Sequence, residues 1–573
     1  MIQLRPEVKR FNYEIQKRRN RKRERCYERM KALKKRAMQM FLACMVVALA
    51  LAGCSEGSNS KSEKSGESSD SQGTETKSNQ TATEKPKERV KLRVEVFDRG
   101  NAPEGVTVTD NEMIDYIQKN FGDPNNIDLE FVPVPRTDEI NQLSVLMAAG
   151  TAPDVSFTYN SGAVYNWAKQ GGLTDLTQLL SEYGSQLQSY IGDAMNYGVF
   201  DSKQYAVVAR RVNLEKYTSV IRQDWLDKAQ LPVPKTTEET YNTLKKFKEM
   251  NLGGNRTFPL SFALTPDSYE PIIWSFIKEQ SDEARYLRSV TIGSREYPIL
   301  ADGHKDGVRF LNKLYNEGLI DPDFALDKDK KKKEENFVNG YTGIMTSDVT
   351  QYYFGGEESQ VNQLEKNVPG ASVTPLLPWT DFEGKTRQPS YTPSGMYIIV
   401  PSFSKRSVEA VKYLNWMAQD EVIQYMAFGQ EGVHHDVVDG FPVRNGSDAD
   451  KKLLFNTGDM LVITNGIDFG SPERNLAYNG LVIDEKHRDA AMANRKMSSQ
   501  DAVRQPIAFD KPLDSEAKNS TIMLEKYEEL LVKSMMAKPE QFDATYDAAL
   551  KDFMSAAGNE VIAERTAAYE AMK

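Results

Sequence analysis

The chain has 573 residues, of which 39% are hydrophobic and 27% charged, a balance typical of globular proteins. At roughly 100–200 residues per domain, this length predicts two or more cores. All three cysteines lie within the first 54 residues, which excludes a disulfide framework and a CxxC metal site in the rest of the chain. Residues 1–53 carry 15 Lys or Arg against four Glu, so the overall charge of −9 leaves −20 on the remainder, which argues against nucleic-acid binding.

The first element in the chain is an export signal. A basic stretch beginning at Met30 precedes an apolar run, residues 38–52, that is interrupted only by Gln39. The run is shorter than the ~20 residues of a membrane-spanning helix, so residues 1–53 are predicted to be a signal peptide with a basic leader. Two starts remain open, Met1 with an extended leader and Met30.

The apolar run closes with Leu-Ala-Gly-Cys at residues 51–54, which resembles the bacterial lipobox. The resemblance implies that Cys54 becomes a lipidated first residue, anchored in the cell membrane on its extracellular face. Residues 54–89 lack aromatic side chains and are rich in Ser, Glu, Lys and Thr, a composition that cannot bury enough surface to fold. They are predicted to form a disordered tether.

The folded part is predicted to begin at Val90, where apolar residues alternate as in a strand. Residues 111–121 follow with a helical pattern, residues 127–135 with a second strand, and a second helix begins at Thr137. Strand, helix, strand and helix in succession predict an α/β fold with a mostly parallel sheet.

Several later segments have distinctive sequence motifs, namely residues 149–155, 168–176, 201–208, 221–228, 337–345, 394–400 and 428–432. In this order they resemble the extracellular solute-binding proteins of bacterial sugar ABC importers, over about residues 90–440. The most specific match is Arg222-Gln-Asp-Trp-Leu226, which is similar to the large, oligosaccharide-associated lipoprotein branch of Gram-positive bacteria.

The resemblance implies a periplasmic-binding-protein-like α/β fold with type II, class-D-like topology and helical C-terminal additions. Lobe 1 is expected to comprise residues 90–212 and 378–435, and lobe 2 residues 213–377 and 436–573, with a hinge and a ligand cleft between them. The expected function is capture of an oligosaccharide by hinge closure and its delivery to ABC permease subunits. A monomer without cofactor, catalytic residues or nucleic acid is expected.

Sugar sites pair aromatic faces with hydrogen-bonding side chains in a concave cleft. By the resemblance, the cleft loops supply eight ligand contacts, namely Tyr159, Asn160, Asp267, Trp274, Asp348, Tyr352, Trp379 and Glu431. For three of these, a structural role is an open alternative: core packing for Trp274, hinge packing for Trp379 and a turn for Glu431.

Other chemistries find little support in the sequence. No GxSxG, P-loop, GxGxxG or HExxH motif occurs. His434-His435-Asp436 resembles a metal-binding cluster, but adjacent residues rarely converge on one ion without a further ligand, and the sequence indicates none. Residues 250–257, where alginate-binding relatives hold calcium, contain no carboxylate. No metal site is therefore expected. The basic run 330–333 is predicted to be the solvated face of a helix.

Two alternative functions stay open. A secreted glycan-active hydrolase needs only two carboxylates, and 82 acidic residues can supply them. A lipoprotein with a signalling or interaction role would also carry the export signal, the lipidated cysteine and the tether.

Overall fold

The computed structural model describes residues 89–278, 281–292, 295–348, 351–354, 356–503 and 513–573. The predicted signal peptide, Cys54 and nearly all of the tether lie outside these residues. The strands are β1 (Val90–Asp98), β2 (Ile127–Pro135), β3 (Ser156–Thr158), β4 (Val199–Phe200), β5 (Lys203–Gln204), β6 (Ala206–Arg211), β7 (Tyr217–Arg222), β8 (Val290–Ile292), β9 (Arg295–Tyr297), β10 (Ile344–Asp348), β11 (Val373–Leu376), β12 (Gln388–Pro389), β13 (Ser394–Ile399), β14 (His435–Val438), β15 (Phe441–Arg444), β16 (Thr464–Asn465) and β17 (Ala502–Val503).

The α-helices surround these strands. They are α1 (Glu112–Ile117), α2 (Glu139–Ala149), α3 (Ser161–Lys169), α4 (Thr177–Tyr183), α5 (Ser185–Ile191), α6 (Gln223–Ala229), α7 (Thr237–Glu249), α8 (Pro266–Phe276), α9 (Asp282–Leu287), α10 (His304–Asn316), α11 (Lys331–Val338), α12 (Gln360–Asn367), α13 (Ser407–Met417), α14 (Asp420–Phe428), α15 (Asp448–Leu454), α16 (Thr457–Met460), α17 (Pro472–Leu481), α18 (Glu485–Ser499), α19 (Asp514–Met536), α20 (Phe542–Phe553) and α21 (Asn559–Met572). A π-helical segment, Gln118–Gly122, continues α1, and another, Met554–Gly558, joins α20 to α21.

Several helix boundaries follow from local chemistry. The Asn111 side chain caps α1 by accepting N–H bonds of 3.0 and 3.2 Å from its first turn. The Thr236 hydroxyl caps α7 in the same way. Helix α2 ends at Gly150, whose φ of 68° is the left-handed conformation that glycine adopts without a Cβ clash.

The first sheet has the order β2-β1-β3-β13-β6-β16. Strands β1 and β2 pair in parallel from Val90 opposite Ile127, and a parallel bridge between Val94 and Val155 joins β3 to β1. Strand β13 then lies antiparallel between β3 and β6, and β16 is parallel to β6. The α/β fold is confirmed, but β13 runs against its neighbours because the chain enters it from the opposite end of the sheet.

Helices cover both faces of this sheet and form the first core. Apolar side chains of α1, α4, α5, α13, α14, α15 and α16 pack on one face, and those of α3 pack on the other. Phe97 of β1 meets Phe157 of β3 edge-on, with ring centroids 4.8 Å apart. Aromatic packing therefore holds the two strands that lead toward the centre of the molecule.

The second core surrounds an antiparallel sheet with the order β10-β7-β11. All six residues of β7 are buried, because helices cover both of its faces. Apolar side chains of α6, α7, α8, α10, α19, α20 and α21 form the main cluster, and those of α11, α12 and α18 form a smaller one. Trp225 of α6 packs edge-on against Phe247 of α7, with centroids 5.2 Å apart.

Within the residues that the structure describes, the chain passes between the two cores at three places: between β6 and β7, between β11 and β13, and between α17 and α18. This packing differs from the predicted lobe boundaries in two places. Residues 453–463 belong to the first core, because β16 extends the first sheet alongside β6. Trp379 belongs to the second core, where it packs against Phe310. The division into lobes remains a prediction.

The C-terminal helices form the outer layer of the second core, in agreement with the predicted helical additions. His304 of α10 bonds Tyr546 of α20 at 2.7 Å and Tyr527 of α19 at 3.0 Å. The start of α19 also reaches the first core, where Asp514 bonds Tyr165 of α3. Among the described residues, no helix is long and apolar enough to cross a membrane.

Candidate functional site

A cavity of about 120 Å³ lies where the two cores and the crossing segments meet. The first core contributes Tyr159, Ser161, Tyr197 and Tyr397; the crossing segments contribute Arg211, Lys216 and residues 389–392; the second core contributes Thr291, Arg295 and Glu296. The cavity is therefore lined by both cores and by two of the three crossings.

Tyr159 occupies the cavity wall because β3 ends at Thr158 and points the chain toward it. The Arg136 guanidinium lies over the Tyr159 ring at 5.0 Å and over Phe97 at 5.1 Å. Such stacking fixes the ring without using its hydroxyl. The neighbouring Asn160 instead caps α3, accepting the Ala163 N–H at 2.9 Å.

Two buried carboxyl groups lie beneath β3. Glu95 accepts the Phe157 N–H at 3.0 Å, and Glu139 accepts the Thr158 hydroxyl at 3.1 Å. Burial raises the pKa of Glu95 to about 8 and also raises that of Glu139. At neutral pH Glu95 is therefore largely protonated, and the strand that leads to Tyr159 rests on a buried carboxyl group that is mostly neutral.

One carboxylate organises the cationic wall of the cavity. Glu270 accepts bonds from Lys216 at 2.9 Å, from Arg295 at 3.3 Å and from the Tyr217 hydroxyl at 2.6 Å. Burial alone would raise the pKa of Glu270, but Lys216 and Arg295 hold it below its ordinary value. Glu270 is therefore ionised and fixes both cations at the cavity.

Tyr391, in the crossing between β11 and β13, forms a stacked pair with Arg211 at the end of β6. The Arg211 guanidinium lies 4.2 Å from the centroid of the Tyr391 ring. The Tyr391 hydroxyl donates to Asp348 at 3.3 Å, and Lys330 donates to the same carboxylate at 2.8 Å. The predicted contact Asp348 thus holds Tyr391 from behind, while Tyr391 itself lines the cavity.

Four other predicted contacts are buried away from the cavity. Trp274 is 1% exposed in the second core, and Tyr352 is fully buried and bonded to Asn494 at 2.9 Å. Trp379 is 4% exposed, and Asp267 is 2% exposed in an ion pair with Lys333.

The last predicted contact lies at the surface. Glu431 is exposed and forms a β-bridge with His435. Of the eight predicted residues, only Tyr159 lines the cavity.

The basic run 330–333 departs from the solvated face predicted for it. Lys333 is 1% exposed and donates to Asp267 at 2.7 Å, and Lys330 lies 3.3 Å from the same carboxylate. Burial acts to raise the pKa of Asp267, but Lys333 and Lys330 lower it to about 2. Only Lys331 in this run projects fully into solvent, with 84% of its side chain exposed.

Six residues that line the cavity were not predicted from the sequence, namely Arg211, Lys216, Arg295, Tyr197, Tyr391 and Tyr397. One signal was available, since Arg210 and Arg211 end an otherwise apolar strand at the predicted exit from lobe 1. For Arg295 and Tyr391 no local pattern marks the residue.

The histidines of the predicted metal-like cluster have structural partners. His434 accepts the Gln430 N–H at 3.0 Å, and His435 bonds the Phe428 carbonyl at 2.9 Å. Within the described part of the chain, no group of three or more His, Cys, Asp or Glu side chains is arranged to hold a metal ion.

Comparison with known proteins identifies what this architecture is similar to. A family model described as bacterial extracellular solute-binding protein matches residues 113–433. The polygalacturonan/rhamnogalacturonan-binding protein YtcQ of Bacillus subtilis is 24% identical over 325 residues, covering 54% of this chain and 61% of that protein. Lipoprotein LipO of the same organism is 23% identical over 324 residues, with the same coverage.

The chain thus spans about 61% of the length of these two relatives. Among solved structures, the alginate-binding protein AlgQ2, determined without calcium ion, superposes with a TM-score of 0.61 at 19% identity. The match covers 84% of this chain and 98% of that one. At this identity the likeness shows the fold.

Proposed function

This chain belongs to the bacterial extracellular solute-binding proteins, and we propose that it captures an oligosaccharide outside the cell and delivers it to the membrane permease of an ABC importer. The observation that carries the proposal is the position of the cavity at the meeting point of the two cores and the crossing segments. A ligand that contacts both cores stabilises the arrangement in which they are close, and this differential affinity drives closure.

In this proposal the two cores are two lobes joined by three crossings. The cavity of about 120 Å³ is smaller than the roughly 300–1,000 Å³ that encloses a whole drug-sized ligand. Entry of an oligosaccharide therefore requires the lobes to separate, and the structure corresponds to a largely closed state. The permease then recognises the closed lobes, and no reaction occurs on this chain.

The cavity chemistry supports a saccharide. Tyrosine rings from the first core and the crossing segment supply flat apolar surfaces with polar edges, and Ser161, Thr291 and Ser390 supply hydroxyl groups. We assign ligand contact to Tyr159 and Tyr391, with Asp348 acting through Tyr391. The names of YtcQ and AlgQ2, which state that those proteins bind polysaccharides, support the same ligand class.

We further propose that a lipid on Cys54 anchors the protein to the outer face of the cell membrane. The lipobox-like sequence and the similarity to lipoprotein LipO support this. Residues 54–89, by their composition, are predicted to link this anchor to the folded part. This keeps a monomeric binding protein close to the permease without restricting its hinge.

A thermal-shift screen with oligosaccharides, with reducing ends measured in the same samples, tests the function. The proposal predicts that at least one oligosaccharide raises the Tm in a concentration-dependent manner and releases no new reducing ends. New reducing ends would indicate a hydrolase instead. A Tm that no saccharide changes would contradict the sugar-binding role.

A further inference from the structure

Cations exceed anions at the cavity. Arg211, Lys216 and Arg295 all line it. Lys216 and Arg295 share a single carboxylate, Glu270, at 2.9 and 3.3 Å. Lys216 is 5% exposed, so solvent does little to screen its charge. One of the three positive charges is thus neutralised by Glu270.

Two further carboxylates near the cavity, those of Glu296 and Asp348, do not neutralise the two remaining positive charges. Glu296 lines the cavity but binds Arg285, which is 5% exposed, at 3.0 Å. Asp348 is bonded to Lys330 at 2.8 Å. Both carboxylates therefore already have cationic partners of their own.

Arg211 is the most informative of the three cations. Its Nε donates to the Ser394 carbonyl at 3.3 Å, and its guanidinium stacks on Tyr391. Within the described residues, no carboxylate forms an ion pair with Arg211, and its two terminal nitrogens have no hydrogen-bond partner. Arg211 is half-buried, burial lowers its pKa, and Asp348 compensates it only through space, without an ion pair. A guanidinium partly withdrawn from water without a paired carboxylate is unfavourable. Its planar fork is suited to a carboxylate.

We infer that the cavity binds a sugar that carries a carboxylate, which Arg211 recognises together with Lys216 and Arg295. The inference rests on the proposed function, since it names the class of saccharide for the same cavity. A neutral sugar would leave Arg211 without an ion-pair partner on closure, whereas a carboxylate supplies one and completes its hydrogen bonds.

Calorimetric titration of the purified protein tests the inference. The acidic probes are trigalacturonate, trimannuronate and 3′-sialyllactose, which separate uronates from sialic acid, and each is paired with its methyl ester. The ester keeps the rings and the linkages but removes the charge. At least one acid is expected to bind at least tenfold more tightly than its ester. Raising NaCl from 50 to 500 mM is expected to weaken binding of the acid and leave the ester unchanged.

Variants then test the assignment of Arg211. Loss of a charge-assisted hydrogen-bond pair in Arg211→Gln is expected to weaken acid binding about 10- to 100-fold and ester binding by much less, so that the preference for the acid over its ester is lost. Arg211→Lys is expected to retain part of the affinity, since it keeps the charge without the fork. Arg210→Gln is the matched control, because Arg210 is adjacent in β6 but pairs with Asp468 at 2.6 Å and does not line the cavity.

Two outcomes would overturn the inference. If acids and esters bind equally, or neutral oligosaccharides such as maltotriose and kestose bind more tightly than any acid, the inference fails while the proposed function stands. If neither acidic nor neutral saccharides bind, both fail. Because the comparison of acid with ester uses the unmodified protein, it does not depend on the folding of any variant.

Discussion

Replacing Glu95 with glutamine is expected to remove a loss of stability that develops as the pH rises through the neutral range. Glu95 is 1% exposed in β1, and burial raises its pKa from 4.5 to about 8. Its Oε2 accepts the Phe157 N–H at 3.0 Å, whereas its Oε1 is buried without a hydrogen-bond partner among the described residues. The neighbouring Glu139 adds repulsion to any charge on Glu95.

The sign and size of the effect follow from this raised pKa. A carboxyl group whose pKa is higher in the folded protein contributes stability fully below pH 4.5 and loses that contribution as the pH rises toward 8. Each pH unit within this window lowers the free energy of unfolding by about 1.4 kcal/mol. Glutamine does not ionise, so the variant lacks this term. Between pH 5.5 and 8 the wild-type protein should lose about 3 kcal/mol relative to Glu95→Gln.

Urea denaturation of both proteins from pH 5 to 8.5 measures the difference directly. Comparison of the two proteins cancels titrating groups that are not coupled to Glu95, including Glu296, whose pKa burial also raises. Glu104→Gln, at an exposed position, should follow the wild-type pH dependence and serves as the control. If wild type and Glu95→Gln show parallel pH profiles, the assignment of a buried, largely protonated Glu95 is wrong.

Three further predictions concern the site and the second core. Tyr159→Ala should weaken saccharide binding about 3- to 10-fold by calorimetry, and an equal effect of Tyr183→Ala, which lies outside the cavity wall, would argue against a specific contact. Lys333→Met should lower the free energy of unfolding, measured in urea, by about 3–5 kcal/mol, because it leaves the buried Asp267 without its 2.7 Å partner. The control Lys331→Met, at an exposed position, should change it by less than about 0.5 kcal/mol. Similar losses in both variants would refute the buried pair. Burial lowers the pKa of His304 to about 3, so neutral His304 contributes stability above pH 6.5 that is lost as the pH falls toward 3. His304→Phe should lower the free energy of unfolding by about 2–4 kcal/mol at pH 7, because it leaves two tyrosine hydroxyls unpaired. This difference from the wild type should shrink at pH 4.5, and a difference that stays constant would contradict the neutral histidine.

The sequence predicted those parts of the fold that local chemistry determines. The alternation beginning at Val90 predicts β1, and the structure has β1 at Val90–Asp98. The predicted first helix begins at residue 111, and there the Asn111 side chain accepts the first N–H bonds of α1. Both features depend on residues within a few positions of one another, so a single sequence is enough to indicate them.

The parts that the sequence did not predict depend on partners that are distant in the chain. Lys333 is in a charged run, yet its Nζ lies 2.7 Å from a carboxylate 66 residues earlier. Trp274 has an indole ring that could stack on a sugar, but it lies in a core completed by α19, far along the chain. Arg295 enters the cavity wall only because Glu270 and Tyr217, from two other elements, bind it there. Such contacts exist only after the tertiary fold has formed.

In the proposed function, a saccharide is held between two lobes that close on it. Distances between spin labels on the two cores, measured by pulsed electron–electron double resonance, report this closure directly. Labels at Val145→Cys and Leu326→Cys are suitable, because these side chains are 65% and 84% exposed and native cysteines occur only at positions 26, 44 and 54, where serine replaces them. We expect a broad distance distribution without ligand that narrows to a single distance when the saccharide identified in the screen is added. A bound saccharide that leaves the distribution unchanged would contradict capture by hinge closure.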